Sequence, residues 1–218
     1  MKLLISLIKK DFLLVKKNNL VLLLFSIVMP ILLSLKTPRF QTDGFILYGT
    51  LTLMLTFMNY NMLSVEEMKQ EGMVYIQTTP ISNNMIGLSK FITVSIPFSI
   101  ISLIYFILSK IDITKVGPVG VKGGILIFFL IQLFFSVYIP LTFKLGYAKL
   151  QIVGAGIVIL SPFLVGFLTK ILKSGESIFF TLGDMPDILF FAIAILVIII
   201  MISLSIKVTS SILDHKEY

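Results

Sequence analysis

The sequence predicts an all-α, polytopic membrane protein with six transmembrane helices, and three observations carry that reading. Hydrophobic residues make up 57% of the 218 and charged residues 13%, against about 45–50% and about 25% in an ordinary soluble domain. Six apolar runs approach the ~20 residues that a helix needs to cross a hydrocarbon core of ~30 Å. The charges fall between those runs. A soluble fold of this length leaves much of its area in water and could not hide so many Ile, Leu and Phe side chains. Lipid must take that area instead.

The chain opens on "MKLLISLIKKDFLLVKKN", residues 1–18. Its first apolar run is broken by Lys9 and Lys10, and no small-residue cleavage site follows, which argues against a signal peptide. On a helical wheel Leu4, Ile5, Ile8, Phe12 and Val15 fall near one side. Ser6, Lys9, Lys10 and Lys17 lie towards another, with Leu13 as an imperfection. This is the pattern of a helix in the headgroup layer, with Lys9, Lys10, Lys16 and Lys17 turned to lipid phosphate.

The predicted spans follow at residues 19–35, 44–64, 91–109, 123–143, 151–169 and 188–206. An even count places both termini on one side. With the termini in the cytoplasm, eleven of the 18 Lys and Arg residues lie inside and seven outside, and the first segment is strongly basic. The positive-inside rule then puts both termini in the cytoplasm of a multi-pass membrane protein. Residues 170–187 form an extracellular loop or a short interfacial helix, with Phe179 and Phe180 between Gly175 and Gly183.

Polar residues at bilayer depth need partners. Asn59 and Asn61 in the second span and Gln132 in the fourth serve either helix packing or a substrate pathway, and no Asp, Glu, Lys or Arg lies well inside any span. Pro30, Pro97, Pro140 and Pro162 predict kinks. Gly154, Gly156 and Gly166 permit close helix contact.

The absence of cysteine removes thiolate sites and a Cys nucleophile, and a single His, His215, offers no metal set. A net charge of +7 fits membrane orientation better than nucleic acid. "GPVGVKGG" at 117–124 lacks both the spacing and the hydroxyl of a P-loop. The chain therefore carries no catalytic constellation and no cofactor site of its own.

The unusual stretch is "SVEEMKQEGMVYIQTTPISNNMIGLSK", residues 64–90, the longest cytoplasmic connection. Glu66, Glu67, Lys69, Gln70 and Glu71 are polar, whereas Met68, Met73, Val74, Tyr75 and Ile76 are apolar and need cover. Gly72 separates the two patches. Pro80 holds Thr79 extended, and Ser82 or Asn83 can cap the helix that becomes the third span. A short helix outside the membrane, suited to docking on a soluble partner, is the expected result.

The order of acidic residues, glycine, apolar stretch, Thr-Pro-Ile-Ser and then Ser89-Lys90 resembles the first cytoplasmic loop of small bacterial ABC-2 type transporter permeases. The opening "LIKKDFLLVKKN", with Asp11 in a matching place, is similar to their basic N-terminal segment. Asn83 stands where many members have a basic residue. The resemblance implies a single transmembrane domain over residues 1–218 in which the loop is a coupling helix on a separate ATP-binding cassette ATPase. Glu66, Glu67, Gly72, Tyr75 and Pro80 would transmit motion, and the partner would bind ATP and Mg. It further implies a second permease copy or paralogue, membrane lipid around the assembly, and export of an amphipathic substrate, a peptide, as in permeases for phenol-soluble modulins or lantibiotic self-protection. Two other classes fit the composition. One is an ATP-independent immunity or binding protein; the other is an intramembrane hydrolase using Glu66 and Glu67, which lacks histidines for a metal.

Overall fold

The computed structural model describes residues 2–42, 44–69, 81–147, 149–152, 154–156, 159, 160, 163 and 187–215. Among them the regular elements are helical: α1 (Lys2–Leu14), α2 (Lys16–Lys36), α3 (Arg39–Thr42), α4 (Phe45–Lys69), α5 (Asn83–Leu108), a 3-10 turn (Asp112–Thr114), α6 (Val121–Leu145) and α7 (Asp187–Asp214). Four helices, α2, α5, α6 and α7, are long and apolar enough to cross a membrane. They coincide with the first, third, fourth and sixth predicted spans. The second predicted span is α4, which has 25 residues but a more polar composition. Its polarity follows from its place, because α4 packs on α1, α2, α5 and α6 and buries residues all along its length. The described residues of 151–169 are helical, and most of that predicted span lies outside the described residues.

Charge marks the depth of the bundle. The uncharged stretch runs from Lys17 to Lys36 in α2, from Lys90 to Lys110 through α5, from Lys122 to Lys144 in α6 and from Asp187 to Lys207 in α7. Each is about 20 residues, or ~30 Å of helix at 1.5 Å per residue, the thickness of the hydrocarbon.

Polar bonds stitch the helices where lipid removes the hydrophobic drive for helix association. Asn59 donates to Asn19 Oδ1 at 2.6 Å between α4 and α2. Gln132 donates to Ser95 Oγ at 2.8 Å between α6 and α5. Ser205 donates to the Ser136 carbonyl at 2.7 Å between α7 and α6. Between α4 and α6, Phe57, Tyr60, Phe134, Phe135 and Tyr138 form an aromatic cluster, edge-to-face except where Phe134 stacks on Tyr138, and Gly154 lies so close that a Cβ there would overlap the Phe57 ring. Gly156, by contrast, faces open space.

One end of the bundle is clasped. The Gly117 amide donates to the Phe40 carbonyl at 2.9 Å, and the Tyr105 hydroxyl lies 3.1 Å from the Gly44 carbonyl and 3.2 Å from that of Gly117. Gly44 and Gly117 approach so closely that a Cβ on either would collide with backbone. At the other end lie α1, the last turns of α4, the first turns of α5 and the C-terminal turn of α7, where Asn83 donates to Asp214 at 2.6 Å.

Candidate functional site

The connection expected over residues 64–90 is shorter in the structure. Ser64 to Lys69 continue α4, and α5 begins at Asn83, so Lys90 sits two turns inside a helix. Ser82 takes the N-cap position with extended backbone, and its carbonyl accepts from Met85 and Ile86, but its side chain makes no capping bond. Of the residues in between, only Ile81 and Ser82 are described.

The early start of α5 puts Lys90 into the bundle, where it is 3% exposed. This corrects its placement on a solvated connection. Its ammonium donates to Glu67 Oε1 at 2.6 Å and to Asp11 Oδ2 at 3.2 Å. Lys10 closes the figure, 2.6 Å from Glu67 Oε1 and 3.0 Å from Asp11 Oδ1. Thr93, one turn after Lys90 on α5, donates to Asp11 Oδ2 at 3.1 Å. The result is a ring of alternating charge, Lys10, Glu67, Lys90 and Asp11, with no net charge and with members on α1, α4 and α5. Charge-assisted bonds of this length are strong, and a buried ion needs such partners to offset its lost hydration.

The ring depends on how α1 is presented. Leu7, Asp11 and Val15 are buried at helical spacing, while Leu3, Ile5, Lys9 and Leu13 are exposed. The bundle-facing stripe is therefore rotated from the apolar face expected over Leu4, Ile5, Ile8, Phe12 and Val15, because the Asp11 carboxylate needs Lys90. Val15 breaks the helix, so Lys16 and Lys17 belong to the first turn of α2 rather than to the same helix as Lys9 and Lys10. Of these four lysines Lys10 is engaged in the ring, and Lys9, Lys16 and Lys17 are exposed.

Glu66 and Glu67 have separate fates. Glu67 turns inward and Glu66 outward, where it pairs with Lys69 at 2.8 Å. Gly72, Tyr75 and Pro80 lie outside the described residues, as does all of 170–187 except Asp187. Asn61 Oδ1 and Gln132 Oε1 are buried without a hydrogen-bond partner among the described residues. Asp11, Lys90 and Thr93 went unassigned as ring members from sequence. The available signal was that acids stand among the bases at the ends of neighbouring spans, Asp11 beside Lys10 and Glu67 close before Lys69, with Lys90 across the connection.

The ring carboxylates and ammoniums occupy one another and tie three helices together. A description of ABC-2 family transporter proteins matches residues 6–214. The chain belongs to this family. No curated protein and no solved structure matches it. This ABC-2 protein is thus a permease of an ABC transporter, a multi-pass membrane transport component of a family that normally works with an ATPase subunit. The ring of this permease stands at the bundle end where α4 finishes at Lys69 and α5 begins at Asn83.

Proposed function

We propose that the permease couples ATP hydrolysis on a separate cytoplasmic ATPase to export of an amphipathic peptide, with residues 70–82 as the contact and the charged ring as the transmission. The observation that carries this is the tie between Glu67, near the exit of α4, Lys90, near the entry of α5, and Asp11 on α1. A push on the connection then reaches three helices as one body. Nucleotide can shift the permease between states only through contacts that differ between them, and the ring supplies a physical route. A second permease copy or a paralogue completes the pathway. The peptide substrate follows from the suggested kinship, within the small ABC-2 permeases that the opening segment and the loop resemble, to those that export peptides.

The test is reconstitution of permease and ATPase in vesicles, with hydrolysis and peptide transport read separately. Lys90→Gln is expected to leave the complex assembled and to lower peptide moved per ATP by about tenfold, within the usual span of coupling energies. Lys90→Arg should retain most of it. An unchanged ratio for Lys90→Gln in an assembled complex would overturn the proposal.

A further inference from the structure

A groove of about 800 Å³ runs between α5 and α6 toward the clasped end, inside the range of about 300–1,000 Å³ that small ligands occupy. Its walls carry Phe98, Phe106 and Phe128, and its floor is Tyr48. Gly124 keeps it open, since a Cβ there would come within 3.1 Å of the Phe106 ring. Leu103, Ile107 and Val121 at its mouth are more than half exposed. Most of the lining belongs to membrane-crossing helices, so the groove opens sideways toward lipid, and at Val121 it reaches the edge of the hydrocarbon.

Lys110 lines the same groove just beyond the end of α5. It is exposed and forms no ion pair among the described residues, neighbouring Asp112 included. Its position at the end of the uncharged stretch of α5 places the ammonium at headgroup level. The polar side chains deeper in the groove are already engaged. Tyr48 and Ser102 share a bond of 2.8 Å, and Ser99 donates to the Ser95 carbonyl at 2.9 Å. An extended peptide backbone laid there would leave its N–H and C=O groups unpaired in an apolar slot, at heavy cost. Acyl chains incur no such penalty, and an anionic head satisfies the lysine.

We propose that this groove binds an anionic phospholipid, its chains against the aromatic walls and its phosphate at Lys110. The chain has no tryptophan, so Leu103→Trp, a change at an exposed position, creates a single fluorophore at the mouth. The variant is reconstituted in vesicles containing brominated phosphatidylglycerol or brominated phosphatidylcholine as quencher. Half-quenching is expected at about fivefold less phosphatidylglycerol than phosphatidylcholine, the preference that one lysine confers at an anionic surface. Adding Lys110→Ala should equalise the two lipids. Ile195→Trp, on the exposed face of α7, should show no preference. Equal quenching by both lipids at position 103, or a preference that survives Lys110→Ala, would mean that ordinary surrounding lipid fills the groove and would overturn the proposal.

Discussion

Glu66 and Glu67 are neighbours with the same side chain, and the structure gives them opposite consequences. Glu67 accepts from two lysines inside the bundle, while Glu66 makes a surface pair with Lys69 one turn away. Breaking a buried pair by removing one member strands the other charge and costs about 3–5 kcal/mol, whereas an exposed pair is worth about 0.2–1 kcal/mol. Glu67→Gln should therefore lower the unfolding temperature of the purified permease well beyond Glu66→Gln, measured side by side in one detergent. Near-equal shifts would show that the ring is solvated. The sequence displayed both glutamates and singled them out, but it could not rank them. Their difference depends on which face of α4 meets α1, and Asp11, on the far side of the ring, lies in a segment that reads as a lipid-facing amphipathic helix.

At the scale of elements the reading from sequence was strongest where a single physical rule governs. Hydrocarbon thickness sets the length of an uncharged helix, and α2, α5, α6 and α7 were placed from that rule with most ends within a few residues, although α5 begins and α7 ends about two turns beyond the predicted bounds. The ends moved because helices continue past the hydrocarbon once their charges find protein partners, as Glu67 and Lys90 do. Helix-to-helix contact follows no such rule. Gly154 and Gly156 look interchangeable in sequence, yet one sits against Phe57 and Tyr138 and the other faces open space. Gly154→Val should destabilise by about 1–3 kcal/mol, the ordinary cost of overpacking, and Gly156→Val by much less. Thermal melting of the two variants checks this. Tyr105→Phe gives a third contrast at the clasp, where loss of the hydroxyl leaves two glycine carbonyls with one partner fewer.

For the molecule as a whole, the two ends differ in what holds them. One is tied by the charged ring and by Asn83 to Asp214; the other is closed by backbone contact at Gly44 and Gly117. If the ring end faces the cytoplasm, as the basic N-terminal segment argues, force enters at the charged end while the glycine clasp holds the outer one. The cysteine-free sequence allows a direct check. Single cysteines at Lys9, Lys69 and His215, all at the ring end, should react with a membrane-impermeant maleimide only after cells are opened. Cysteines at Lys36 and Lys115, at the clasped end, should react in intact cells. The five positions are separated by the span of α5 and its neighbours, so they must divide as a group. Labelling of all ring-end positions in intact cells would reverse the orientation and remove the ATPase from reach of residues 70–82. Labelling of Lys69 and Lys115 from one face would contradict the crossing of α5 itself.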